Sequence, residues 1–425
     1  YSDFFKMIPE ASLVAILIVL FVADFVTAKT EERKWFNPLA SVLLLLNTFV
    51  CLIPMDAQTA FGGMYVTSSA VDVMKAILSM GTFIVILQSR VWAAKSGKEG
   101  EFYMLIISTL LGMFAMMSAG NFLMFFLGLE MASVPLACAV AFDMYRKNSA
   151  EAAAKFILTA TFSSGVMLYG ISFLYGEFGT LYFADITAKM QATPLTIMGL
   201  VFFFSGLGFK ISLVPFHFWT ADTYQGAPTT VTGYLSVISK GAAAFTLLSI
   251  LFHVFGGIME YWHVLLMIVV VLSITIANLF AVRQSELKRF MAFSSISQAG
   301  YIMLTAIGND WASSVSALSY YVLIYVVANM AVFTIISVVE QNNNGKTNID
   351  DYNGFYQTNP RLSFLMTLAM FSLGGIPPFA GMFSKFFVFM SGVNGANINT
   401  TMGAWAYGVV FIALLNTVIS LYYYL

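Results

Sequence analysis

Residues Gly199–Trp219 read GLVFFFSGLGFKISLVPFHFW, and Met370–Phe389 read MFSLGGIPPFAGMFSKFFVF. Both stretches are long and apolar enough to lie inside a bilayer. Each nevertheless holds a lysine, Lys210 or Lys385, and a proline break, at Pro215 or at Pro377 and Pro378. Proline removes a helix hydrogen bond and clashes with the preceding turn. At membrane depth such breaks are tolerated where backbone is buried in protein or lines a watery cavity. Counted along the chain, the two segments lie five crossings apart, so they run in opposite directions. Oppositely directed broken helices point to inverted repeats with a site near the midplane. Pro-Phe marks both breaks, as Pro215-Phe216 and Pro378-Phe379. The lysine precedes the proline in one and follows it in the other.

The rest of the chain is of the same kind. Of its 425 residues, 59% are hydrophobic and 10% charged, where soluble domains carry about 25% charged residues. The fold class is therefore an all-α polytopic membrane protein. Apolar runs predict roughly thirteen spans, near 10–28, 37–54, 70–89, 102–118, 121–142, 151–175, 194–216, 228–252, 262–281, 286–307, 313–339, 361–391 and 404–425. The expected organisation is a three-helix region over 1–101, a five-helix repeat over 102–252 and its inverted partner over 253–425. The apolar stretch after Pro9 reads as a span, not as a cleavable leader.

Loop charge sets the expected orientation. One set of alternate loops holds Lys29, Arg33, Lys34, Arg90, Lys95, Lys98, Arg146, Lys147, Arg283, Lys288, Arg289, Lys346 and Arg361. The other set, with the N-terminus, holds only Lys6 and Lys189. The first set belongs inside and the N-terminus outside. Lys75, near a span end beside Asp72, is expected to snorkel to the interface. A net charge of −1 argues against a nucleic-acid partner. Cys51 and Cys138 read as small core residues without a disulfide. His217, His253 and His263 are too scattered for a ligand cluster.

Four lysines remain inside apolar segments: Lys155, Lys210, Lys240 and Lys385, joined by one carboxylate, Glu130, in GNFLMFFLGLEMASVPLACAV. A charge at the bilayer centre costs about 2.5–3.5 kcal/mol on insertion scales, so it reads as functional. A lysine that loses hydration releases its proton more readily, and a nearby carboxylate reverses that. A Glu–Lys pair of changing separation can therefore alternate between holding and releasing a proton, and Glu130 with Lys210 is the candidate pair. Lys155 could tune it, or could simply pair with Glu151 one turn away at the interface. Lys240 lies among Thr232, Ser236 and Ser239. His217 could relay a proton between Lys210 and Lys240, or only cap carbonyls. Lys385 would complete a transverse row. The serine-rich AFSSISQAG run reads as helix packing. No Gly-Lys-Ser/Thr phosphate loop, cysteine cluster or paired in-span histidine is present in the sequence, so no cofactor is expected in this chain.

Several stretches resemble the antiporter-like membrane subunits of respiratory complex I, and among them the subunit N branch (mitochondrial subunit 2). They are FLGLEMASVPL, EAAAKFILTATFSSG, GFKISLVPFHFWTADTYQGAPTTVTGYLSVISKGAA, RFMAFSSISQAGY, GGIPPFAGMFSKF and ISLYYYL. The similarity covers essentially the whole chain. Sister subunits and the Mrp-type cation/proton antiporters share the plan, with Trp-Glu where this chain has Leu129-Glu130 and Pro-Leu-His where it has Pro215-Phe216-His217.

The resemblance implies a proton-translocating subunit of an enzyme passing electrons from NADH to quinone, in a bacterial inner membrane. Flavin, iron–sulfur clusters and quinone would belong to partner subunits, and sister antiporter-like subunits and lipid would be the neighbours. It implies that Glu130 and Lys210 are the family's pair, Lys155 an accessory lysine and Lys240 the central connector. Lys385 would be the lysine of the second broken helix, and His217 the histidine between helices. The family plan has fourteen spans, so a chain starting at Tyr1 and stopping at Leu425 is expected to be incomplete. Two alternatives use the same residues differently: a stand-alone cation/proton antiporter module, and a structural spacer between pump modules.

Overall fold

The protein is described by a computed structural model over residues 2–27, 33–53, 57–143, 146–343 and 345–425. Lys29, one of the basic loop residues, lies outside the described residues.

The helices in chain order are α1 (Ile8–Val26), α2 (Phe36–Cys51), α3 (Ser69–Ser96), α4 (Glu99–Met117), α5 (Phe122–Val140), α6 (Lys147–Phe178) and α7 (Phe183–Ala188). Next come α8 (Pro194–Ile211) and α9 (Phe218–Gly226), then α10 (Thr229–His253). The last are α11 (Met259–Ala281), α12 (Leu287–Leu304), α13 (Trp311–Asn342), α14 (Phe355–Thr358), α15 (Pro360–Gly374), α16 (Ala380–Val393) and α17 (Thr401–Tyr424). One small antiparallel hairpin, β1 (Gln58–Ala60) with β2 (Tyr65–Thr67), pairs Gln58 with Thr67 and Ala60 with Tyr65. Among the described residues, eleven helices are long and apolar enough to cross a membrane, and α2 and α16 are shorter apolar helices.

Side-chain caps start several of these helices. Ser68, Asn121, Thr193, Asp310 and Thr400 each accept a backbone N–H of the first turn, satisfying donors that would otherwise be orphaned. The connections gather at two ends of the bundle. At the end carrying the N-terminus, Val66 N–H donates to Ser118 (2.8 Å), Gly120 to Met64 (2.7 Å) and Phe183 to Gly120 (3.0 Å). At the opposite end Arg146 pairs with Glu340 at 2.9 Å, and Glu286 bridges Asn348.

Burial grades outward. α12 is enclosed along its whole length and α10 nearly so, whereas α1, α6 and α17 keep most of their apolar surface outside. Leu158 and Phe162 of α6 and Phe411 and Val418 of α17 are exposed. Such faces suit lipid or neighbouring subunits. At the interface of α4 with α5 the backbones approach closely. A Cβ on Gly128 would come within 2.5 Å of the Met116 nitrogen, and one on Gly112 within 2.4 Å of the Ala132 nitrogen. Small residues at such points let membrane helices pack by van der Waals contact.

Both breaks have one design. α8 ends at Ser212 with φ +68° and α15 at Gly375 with φ +83°, left-handed residues that turn the chain out of the helix. In each case the proline of the Pro-Phe pair, Pro215 or Pro378, follows three residues later. The Val214–Pro215 and Pro377–Pro378 peptide bonds are cis. Counted from those prolines, Lys385 stands seven residues on in one segment and Asp222 seven residues on in the other. Corresponding places therefore carry opposite charges, and Lys210 falls opposite Leu373.

Three expectations change. Not all of the basic residues expected in loops lie there. Arg90 and Lys95 are on the last turns of α3, which continues to Ser96. Lys147, Lys288, Arg289 and Arg361 are on the first turns of α6, α12 and α15. Cys138 faces outward, while Cys51 is buried. Lys75 does not snorkel: its side chain is wholly buried, 2.7 Å from Glu10. Its counter-ion comes from the first turn of α1, and that pairing removes the reason to reach for the interface.

Candidate functional site: buried lysines and their links

α5 carries Glu130, half-buried, and Ser133 one turn later. Lys210, on the last turn of α8, is buried. Its ammonium donates to the Ser133 hydroxyl at 2.8 Å, and that hydroxyl donates to the Leu129 carbonyl at 2.6 Å. Glu130 and Lys210 line one cavity of about 20 Å³ together with Ser133, Ser163 and Ser164. About 10–15 Å³ suffices for one water, so the cavity that both residues line has room for one. The proline break ends α8 directly beyond Lys210, and the Trp219 indole N–H closes the gap on the Phe209 carbonyl at 3.1 Å.

His217 is the N-cap residue of α9. It is buried, its Nδ1 has no hydrogen-bond partner, and its ring packs on Phe218.

Lys240 lies on α10 directly after a π-helical segment, Leu235–Ser239, a distortion often found at functional positions. Its ammonium donates to Ser295 of α12 at 2.8 Å and lies 5.3 Å from the Tyr224 ring centre. Ser295 in turn donates to the Ser236 carbonyl at 3.2 Å, and the Asn329 amide donates to the Ser236 hydroxyl.

The next link crosses α12. Gln298, one turn after Ser295, donates to the Leu373 carbonyl at 3.2 Å and to the Tyr424 hydroxyl at 3.1 Å. It also accepts from Tyr321. The adjacent carbonyl, Gly374, accepts from Lys385 at 3.0 Å, whose ammonium sits 4.9 Å from the Tyr301 ring centre. The lysine reaches back over the break, and a Cβ on Gly375 would stand only 3.0 Å from its stem. Ser295, which bonds Lys240, and Gln298, which bonds the carbonyl next to the one that holds Lys385, thus stand one turn apart on α12.

Composition and spacing do not mark Ser295, Gln298, Tyr321 or Tyr424 as part of this line. The serine-rich run of α12 gives the only local hint, and it serves as polar linkage as well as packing.

Lys155 stands apart from this line. Its side chain is 45% exposed and pairs with Glu151 and Asp222, both at 2.8 Å. Asp222 also accepts from Arg289 at 2.7 Å. Lys155 and Arg289 beside Asp222 hold its carboxyl below the usual carboxylate range, against the opposing effect of burial. This network ties α6, α9 and α12 together at the end of the bundle opposite the N-terminus.

The profile of the family described as NADH:quinone oxidoreductase/Mrp antiporter membrane proteins matches residues 119–412. The chain is 57% identical over 419 residues to NADH-quinone oxidoreductase subunit N of Phocaeicola vulgatus, covering 98% of this chain and 86% of that one. It is 49% identical over 431 residues to the subunit N of Azobacteroides pseudotrichonymphae, covering 100% and 87%. Among solved structures it resembles a chain of respiratory complex I from Thermus thermophilus with bound aureothin. There the TM-score is 0.81 and the identity 30%, over 98% of this chain and 88% of that one. With the broken helices, the buried lysines and these likenesses along nearly its full length, the chain belongs to the NADH:quinone oxidoreductase/Mrp antiporter family of membrane subunits, in the branch of subunit N.

Proposed function

We propose that this chain moves protons across a bacterial inner membrane as a subunit of an NADH:quinone oxidoreductase. Its partners are the other membrane subunits, including sister antiporter-like ones. Flavin, iron–sulfur and quinone chemistry belongs to those partners, and this chain works as a translocase without a redox centre of its own. The N-terminus faces outside, in line with the excess of Lys and Arg at the opposite end. Residues 102–252 and 253–425 act as inverted repeats behind a three-helix region over 1–101, supported by the shared design of the two breaks.

The observation that carries this reading is the open Glu130–Lys210 pair in its water-sized cavity. A direct ion pair would hold the lysine charged in every state. An acid and a base that face one small cavity without pairing directly change their coupling with shifts in distance. Motion at the redox arm closes or opens that gap, so Lys210 takes up or yields a proton. The polar line through Lys240, α12 and Lys385 passes the change along, with His217 as relay and Lys155 as accessory. Moving one charge against 100 mV needs about 2.3 kcal/mol, within reach of a modest displacement of a counter-charge.

The test is proton pumping in vesicles carrying the assembled complex. Lys210→Ala and Lys240→Ala should each lower the protons moved per NADH. An unchanged yield with both lysines replaced would exclude the row as a conduit.

A further inference from the structure

Another cluster of buried charge lies outside the lysine row, near the end of the bundle that carries the N-terminus. Lys75 of α3 is enclosed, with Glu10 Oε1 at 2.7 Å and Asp72 Oδ1 at 3.9 Å. Tyr65 of β2 donates to Glu10 Oε2 at 3.0 Å and receives a bond from Lys75 at 3.1 Å. Ser118 donates to Glu10 Oε1 at 3.4 Å. Both carboxylates are only 3% exposed. Two acids thus surround one ammonium, an excess negative charge at a depth where unpaired charge is costly.

Two independent observations say what relieves it. Asp72 Oδ2 is buried and has no hydrogen-bond partner. Its other oxygen accepts from the Thr67 hydroxyl at 3.0 Å, and Thr67 lines a cavity of about 730 Å³ with Asp185, Thr246, Ser249 and His253. The Asp72 carboxylate is therefore linked by its bonded oxygen, through the Thr67 side chain, to a space large enough for many waters, while its second oxygen is left without a partner.

We propose that Glu10, Asp72 and Lys75 form a second proton-holding site, loaded and unloaded through Thr67 from the cavity beside the β-hairpin. On loading, a hydronium in the cavity loses its proton to the cluster, an O–H bond forms on Asp72 and water is left behind. The cluster passes from net −1 to neutral, and unloading is the reverse. The titratable groups facing it are Glu10 of α1, Cys51 of α2 and Tyr65 of the hairpin, besides Asp72 and Lys75 themselves. α4 contributes Phe114 and Ser118. Towards Lys240 the way is apolar, since Met74 and Leu78 pack against Gly241. The site therefore exchanges with the N-terminal end of the bundle and does not rest on the row.

The experiment is infrared spectroscopy of the assembled complex in membranes, with and without carbon-13-labelled aspartate, as the pH is lowered. A protonated-carboxyl band that shifts with the label is expected, absent in Asp72→Asn and unchanged in Lys210→Ala. Thr67→Val should keep the band and slow its exchange into heavy water about a hundredfold, as expected when a positioned proton carrier is removed. If Asp72→Asn does not assemble, wild type against Thr67→Val decides alone. Equal exchange in both overturns the proposal, as does a wild-type spectrum with no label-sensitive carboxyl band at any pH.

Discussion

The ammonium of Lys210 is bonded to Ser133 at 2.8 Å, one turn beyond Glu130, and not to the Glu130 carboxylate. Glu10 and Lys75, by contrast, meet at 2.7 Å. One fold thus contains a closed acid–lysine pair and an open one. A charge-assisted hydrogen bond is worth about 1.5–3 kcal/mol, so Ser133 offers Lys210 a second resting place that competes with Glu130. Removing that hydroxyl should let the lysine collapse onto the carboxylate. Ser133→Ala is expected to lower proton yield per NADH while leaving assembly intact, measured by pumping in vesicles beside native-gel abundance of the complex. A yield equal to wild type would show that Ser133 does not hold the pair open.

Gln298 occupies the crossing between Lys240 and Lys385. Replacing it with leucine keeps the size but removes the bonds to Leu373, Tyr424 and Tyr321. Each buried group left unsatisfied costs about 1–3 kcal/mol, so stability should fall measurably. If the polar line conducts, proton yield falls as well. Gln298→Glu, which retains acceptors at the same place, should restore more of the yield than of the stability. A variant that loses stability but pumps normally would make Gln298 a packing residue only.

Lys210, Lys240, Lys385 and Glu130 are legible in the sequence alone, because a charge in an apolar run is conspicuous residue by residue. The breaks at Pro215 and Pro378 are legible for the same local reason. The polar groups between the lysines are not: Ser295, Gln298 and Tyr424 are ordinary in a packed helix bundle, and only the folded chain sets them beside Lys240 and Lys385, Ser295 bonded to Lys240 and Gln298 to Tyr424. Lys75 misleads because its counter-ion, Glu10, arrives from another helix. A lysine beside a span end looks like a snorkelling one until that partner is in place. Lys155 and Glu151 show the converse, since an i,i+4 pair on one helix is visible in sequence and the structure has it.

The closed pair predicts a stability effect that a snorkelling lysine would not produce. Glu10→Ala leaves Lys75 buried beside a single, more distant carboxylate, and removing one partner of a buried ion pair costs about 3–5 kcal/mol. Thermal unfolding of the purified complex, followed by loss of this subunit from the assembly, should show a clear drop for Glu10→Ala. The triple replacement Glu10→Gln, Asp72→Asn and Lys75→Met, which removes every charge of the cluster, should recover much of it. No recovery in the triple variant would mean that packing around Glu10, and not the buried charges, sustains this region.

Asp222 gives a pH dependence whose sign can be worked through. Its carboxyl is held below its ordinary range by Lys155 and then by Arg289. An unfolded aspartate titrates at about pH 3.9, so the folded one titrates lower. A depressed acid adds stability that is fully present above the unfolded value and is lost as pH falls through the folded one. The side chain is 36% exposed, so solvent screening limits the contribution to about 1 kcal/mol or less. Asp222→Asn should therefore lower the unfolding midpoint of the assembled subunit slightly at neutral pH, and the two proteins should converge as the pH approaches the acid range. High salt should shrink the neutral-pH gap. A gap that persisted undiminished in acid would place the effect of Asp222 in hydrogen-bond shape and not in its charge.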